Sequence, residues 1–181
     1  DIISYFKNHK FIALDTETSG LDPHSCELLS IQFGDFDQQF VIEYSPNILE
    51  KLKPLLLRKD VVWVLQNAKF DLQFFYKHDI ILENIFDTYL AEGVLYCGFD
   101  DVKLPNYVRK SLDVLVLKYC GVLLNKSIRG TINRVGLTDK VIEYGANDVK
   151  YLIPVMTSQM VKIKEDGLWG AVKLDNKFVK V

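Results

Sequence analysis

Residues 11–17 read FIALDTE, an apolar run that closes on two acids. A run of this length rich in β-formers predicts a strand. Asp15 and Glu17 stand two apart on it, so their side chains share one face. Two carboxylates on one face repel and shift each other's pKa unless a cation sits between them. Outward from that strand, ELLSIQFG (27–34) and QFVIEY (39–44) are separated by Gly34, Asp35 and Asp37, the pattern of a hairpin beside the first strand.

Further along, Ser45 and Pro46 form a helix start, followed by Ile48, Leu49, Leu52, Leu55 and Leu56 at helical spacing. Pro54 predicts a kink or a second piece of that helix. VVWVLQ (61–66) is short and apolar and predicts a central buried strand with Trp63 in the core. Asn67 is placed to cap a helix carrying Phe70, Asp71, Phe74 and Phe75. Residues 80–87 hold a fifth strand, and DTYLAEGVLY continues as a helix. Ser111 caps a helix ended by Gly121, residues 125–137 with Arg129 and Arg134 read as a loop, and Thr138 starts the last long helical stretch, interrupted near Pro154. Three strands followed by alternating helix and strand predict an α/β fold: one mixed sheet with helices on both faces.

The chain has 181 residues, 49% apolar and 25% charged, enough for one domain with a real core, with or without a small appendage. Ten glycines and five prolines are too few for a fibrous or low-complexity chain, and no apolar run approaches the ~18 residues of a membrane span. Lys and Arg total 22 against 24 Asp and Glu, a net charge of −2. Binding of duplex nucleic acid by bulk charge calls for a basic excess, so a nucleic-acid partner here requires local contacts or metal ions. Cys26, Cys97 and Cys120 form no CxxC pair. With no signal peptide they fit a reducing compartment, cytoplasmic or nucleoid-associated. A first residue Asp1 rather than Met, and an end in LDNKFVKV without a helix stop, read as a piece of something larger.

Two further acids carry chemical weight. Asp71 lies in QNAKFDLQFF among phenylalanines, where an unpaired buried carboxylate is costly. Asp148 lies in EYGANDVKYL with Tyr144 four residues earlier, on the same helix face. Each piece alone is weak. Together, DTETSGLDP, NAKFD and YGAND in this order resemble the three motifs of the DEDD family of 3′–5′ exonucleases, over roughly residues 10–160. Tyr144 four before Asp148 resembles the tyrosine subtype; the histidine subtype places a His where Glu143 stands. DTETSGLDP, LKPLLL, QNAKFD and FDTYL are most similar to the proofreading domain of family A DNA polymerases, while SLDVLVLKYCGVLLNKS also resembles ribonuclease D-like members.

The resemblance implies an RNase H-like sheet of five strands, the second antiparallel to the rest. It implies a nuclease domain over residues 1–165, and over 166–181 a helix leading toward a polymerase domain covalently linked in the parent. It implies hydrolysis of the last phosphodiester of a single-stranded DNA 3′ end with two divalent cations, Mg²⁺ or Mn²⁺, for which hard carboxylate oxygens are suited. By the same resemblance Asp15 bridges both cations, Glu17 and Asp148 complete the first site, and Asp71 holds the second through water. Tyr144, alongside Glu17, orients the attacking water; its ordinary pKa near 10 argues against a full base. Leu21 falls on a wedge position near the terminal bases, and Thr16 (by its backbone), Gln66, Asn67 and Phe70 on substrate contacts. Stacking of bases on such groups tolerates any sequence.

Other residues receive plainer roles: His24 an exposed loop, His78–Asp79 a turn, Asp87 a structural hydrogen-bonding partner. An RNA-trimming enzyme of the ribonuclease D kind is the alternative activity. An exonuclease-like scaffold is disfavoured because all four acids and the Tyr are present. A phosphoacceptor receiver is disfavoured by the early hairpin and the lack of a Lys at a late strand end.

Overall fold

The computed structural model describes residues 1–96, 110–125 and 136–177. Arg129, Arg134 and Cys97, and with them most of the expected 125–137 loop, lie outside the described residues. A short helix α1 (Ile2–Phe6) precedes β1 (Phe11–Thr18), β2 (Leu28–Gly34) and β3 (Gln39–Glu43). Then follow α2 (Pro46–Leu56), β4 (Val62–Leu65), α3 (Lys69–Tyr76), β5 (Ile85–Asp87) and α4 (Thr88–Tyr96). The remaining described helices are α5 (Leu112–Cys120), α6 (Asp139–Lys150), α7 (Leu152–Glu165) and α8 (Trp169–Lys177).

The five strands form one sheet in the order β3-β2-β1-β4-β5. β2 pairs antiparallel with both β1 and β3, whereas β1–β4 and β4–β5 are parallel. The second strand is thus the antiparallel one, as expected. Alternation along β1 divides the core. Ile12 and Leu14 join Phe6, Ile31, Phe33, Trp63 and Phe75 on the face covered by α1, α2 and α3. Ala13 joins Val64, Phe86, Val149, Leu152, Met156 and Val172 on the face covered by α4, α6, α7 and α8. Helices on both faces of a mixed sheet are the architecture the element order predicts.

Local expectations met different fates. Ser45 caps α2, its Oγ accepting from the Ile48 N–H at 3.3 Å. Pro54 does not break that helix: it lies in the last turn, costs one backbone bond, and Leu52, Leu55 and Leu56 stay buried against the sheet. The fifth strand is shorter than residues 80–87, because Asn84 takes a left-handed conformation (φ 56°) and pairing begins at Ile85. Asn67 does not cap α3. It too is left-handed (φ 59°), the cap position falls on Ala68, and the carboxylate of Asp87 takes the backbone N–H groups of both. Ser111 occupies the cap position of α5 but makes no side-chain cap bond. The helix after Thr138 is interrupted at Tyr151, three residues before Pro154. The helix α1 carries no periodic pattern long enough to announce itself; Asp1 caps it by accepting from the Ile3 N–H at 3.1 Å. No described helix is long and apolar enough to cross a membrane.

Candidate active site

Because Asp15 and Glu17 share the parity of Ala13 on β1, they face α6, the helix that carries Asp148. Carboxylate oxygens of Asp15, Glu17 and Asp148 all lie within 4.8 Å of one another. Two elements far apart in sequence, β1 and α6, therefore converge near the C-terminal ends of the parallel strands, where open α/β sheets place their functional groups.

Close packing of α6 on the sheet makes the convergence possible. Gly145, between Tyr144 and Asp148, is buried against Gln32 of β2; a Cβ there would lie 3.1 Å from Gln32 Cγ and 3.3 Å from its Nε2. One turn on, Val149 presses on Gly34, where a Cβ would meet Val149 Cγ2 at 2.9 Å. Gln32 itself cannot yield freely: it is buried and donates to Ser30 Oγ at 2.7 Å. These small residues let the helix approach until Asp148 reaches Asp15. The signal was present in YGAND, but its meaning depends on a strand more than a hundred residues away.

Asp71 reaches the site from the other side. Thr16 has the opposite parity to Asp15, faces α3, and donates its hydroxyl to Asp71 Oδ1 at 2.6 Å. Asp71 is only 2% exposed, which excludes a carboxylate that merely faces water. Burial raises its pKa, with the Thr16 hydroxyl acting against the shift. Asp15 is raised well above the carboxylate range, by burial first, then by the charges of Asp71, Asp148 and Glu17. Tyr144 is half-buried and hydrogen-bonded with Asp148. Burial, followed by the negative charges of Asp148 and Glu17, pushes its phenol far above its usual value. Its hydroxyl therefore stays protonated at neutral pH and acts as a donor.

The expected substrate positions are distributed around this centre. Leu21, in the β1–β2 loop, is 85% exposed, so core packing does not explain it. Asn67 is exposed, and Phe70 is half-buried with its ring 5.3 Å from that of Phe74. Thr16 spends its side chain on Asp71. Gln66 is engaged at both ends of its amide, donating to the Lys110 carbonyl at 2.6 Å and accepting from the Thr88 hydroxyl at 2.5 Å. An apolar groove of about 890 Å³ opens elsewhere, among Phe11, Val62, Ile85 and Trp169, at the opposite ends of the parallel strands; none of the four acids lines it.

The donor set fits hard divalent cations: converging carboxylates supply the oxygens, and their mutual repulsion supplies the electrostatic demand. A mixed five-stranded sheet of this order with acids gathered at its strand ends defines a DEDD-type exonuclease core of RNase H-like fold. The model of the polymerase A-type 3′–5′ exonuclease family matches residues 1–164, and the chain belongs to that family. It is 29% identical over 163 residues to DNA polymerase I of Aquifex aeolicus (strain VF5), covering 87% of this chain and 25% of that polymerase. This chain thus spans a quarter of the length of that relative. In fold it is similar to Brucella melitensis NrnC, with a TM-score of 0.80 at 23% identity over 95% of this chain and 82% of that one. It is also similar to Escherichia coli RNase D, described as an exoribonuclease involved in structured RNA processing, with a TM-score of 0.81 at 23% identity over 98% and 46%.

Proposed function

We propose that this chain is a metal-dependent 3′–5′ exonuclease domain that removes nucleoside monophosphates from single-stranded or frayed DNA 3′ ends, as the proofreading part of a DNA polymerase. The observation that carries the chemistry is the convergence of Asp15, Glu17 and Asp148 within 4.8 Å. The family match and the kinship with a polymerase I support the DNA assignment. In this reading residues 1–165 form the nuclease and 166–181 lead toward a polymerase domain.

The reaction adds water across the terminal phosphodiester. A P–O bond forms to the water oxygen, the bond to the 3′ oxygen breaks, and the products are a nucleoside monophosphate and a strand with a new 3′ hydroxyl. Asp15, Glu17 and Asp148 would hold one divalent cation, Mg²⁺ or Mn²⁺, with Asp15 shared to a second that Asp71 helps to hold. The chemistry such cations would supply there is a lowered pKa for the attacking water and stabilisation of charge on the leaving oxygen. Tyr144, fixed as a donor beside Asp148, orients the water rather than deprotonating it. Leu21 offers an exposed apolar side chain to the terminal bases. Thr16, Gln66, Asn67 and Phe70 complete the proposed substrate contacts, and a single-strand grip of this kind is sequence-tolerant.

The test is incubation of the chain with 3′-labelled DNA and RNA strands of one sequence in Mn²⁺. Monophosphate release that is faster from DNA and abolished by Asp15→Ala supports the reading. A clear preference for RNA favours the alternative, an RNA-trimming enzyme like the RNase D it resembles in fold. Release that is unchanged in the variant removes the site itself.

A further inference from the structure

Asp71 is the acid that reaches the cluster from α3, and nothing within α3 explains how that helix is aimed. Its cap position falls on Ala68, which has no side chain able to cap, and Asn67 before it sits in the left-handed region. Asn tolerates that conformation better than most non-glycine residues, but it remains the minor one and is held by partners from outside. The enforcing group comes from β5. Asp87, 2% exposed, accepts from the Asn67 N–H at Oδ1 and the Ala68 N–H at Oδ2, both at 2.9 Å; Oδ1 also accepts from the Tyr89 N–H at 2.9 Å. A carboxylate from another strand thus satisfies the backbone N–H groups at the cap position of α3 and just before it.

Asp87 is held in turn. Its backbone N–H donates to Asn176 Oδ1 on α8 at 3.0 Å, and Asn176 Nδ2 donates to the Val172 carbonyl at 2.9 Å. The next residue, Thr88, shares its hydroxyl proton between Gln66 Oε1 and the Leu65 carbonyl at the end of β4, the latter at 3.0 Å. We infer that Asp87 is a positioning residue for Asp71: its carboxylate locks the Asn67 turn from which α3 departs, and Asn176 links that lock to the C-terminal helix. The inference rests on the proposed role of Asp71 as a holder of divalent cations. Partners that orient ligands without touching a metal change affinity by about 10–100-fold when removed.

The test is calorimetric titration of the chain with Mn²⁺, with no nucleic acid present, paired with the metal-free melting temperature. Asp87→Asn replaces one acceptor by an amide that faces an N–H; it should weaken Mn²⁺ binding about tenfold. Asn176→Ala leaves the carboxylate in place and should weaken binding in the same direction by a smaller factor; it decides the matter if Asp87→Asn does not fold. Wild-type affinity in every folded variant, with only the melting temperature lowered, overturns the inference. Absence of Mn²⁺ binding in the wild-type chain overturns the reading of the site and the inference with it, so the two failures are distinguishable.

Discussion

The two ends of the sheet treat their acids in opposite ways. In the β2–β3 turn, Asp35 accepts from the Tyr5 hydroxyl and the backbone N–H groups of Asp37 and Gln38, all at 2.8 Å, and lies 3.0 Å from His9 Nε2. Burial works to raise its pKa, but the donors, led by Gln38 and Tyr5, outweigh it and hold it below its ordinary value. Nearby, Asp60 is gripped by Arg58 and Lys10 and is also held low. At the other end Asp15 is raised by burial and by three other carboxylates. The first end has its donors built in by folding. The second is electrostatically incomplete, which is the condition of a site that takes cations from solution.

The sharpest way to break this comparison is to neutralise one acid at the crowded end. Asp15→Asn should lower monophosphate release by on the order of 10³-fold, since metal-supplied charge stabilisation is worth several kcal/mol. The same variant should melt higher without metal. Asp15 has a folded pKa above its unfolded value, so the folded state binds more protons. Its contribution to stability is then greatest at low pH and falls as pH climbs from about 4 toward neutrality. The gain in melting temperature of Asp15→Asn over wild type should therefore grow between pH 5 and 8, reaching a few degrees, roughly 2–4 °C for each kcal/mol in a chain of this size. His78, which burial lowers, titrates in both proteins and cancels in the difference. Saturating Mn²⁺ should reverse the order. A metal-free gain that does not change with pH contradicts the account.

What could be read from residues alone follows from how local each cause is. The acids were legible because DTE, NAKFD and YGAND keep order and spacing, and because acids among phenylalanines or at a strand exit call for an explanation. The sheet was legible because strand alternation and hairpin turns are short-range. The Asn67 turn was not: a cap by its own side chain is the local expectation, whereas the turn is held through its backbone N–H by a carboxylate 20 residues away. Gln66 looked free for substrate because Lys110 and Thr88, which occupy its amide, are distant in sequence. Asp87 was rightly expected to make structural hydrogen bonds, but what those bonds aim could be seen only once α3 was in place.

A smaller effect should come from the packing that brings α6 to the crowded end. Gly145→Val places branched carbons where a single Cβ already meets Gln32 at 3.1 Å. The helix must lift, and Tyr144 and Asp148 with it. A displacement near 1 Å costs about 10²-fold in rate. Circular dichroism should remain native while monophosphate release falls. Gly145→Ala should fall less, because a single methyl asks Gln32 to give by only a few tenths of an ångström. Equal activity in all three proteins would place the reacting groups elsewhere than α6.

The smallest effect belongs to the satisfied end, and its smallness is informative. Lys10 Nζ meets Asp60 Oδ2 at 3.2 Å, with both side chains more than half exposed. Exposed ion pairs of this kind contribute little to stability, because solvent screens them and holding two long side chains costs entropy. Arg58 also remains on Asp60 when Lys10 is removed. Lys10→Ala should therefore shift the melting temperature by no more than about 4 °C, with nuclease rate and Mn²⁺ affinity unchanged. If the distant substitution instead altered Mn²⁺ binding, the two ends would be coupled through the sheet. The site's charge could then no longer be treated as a property of its own four acids.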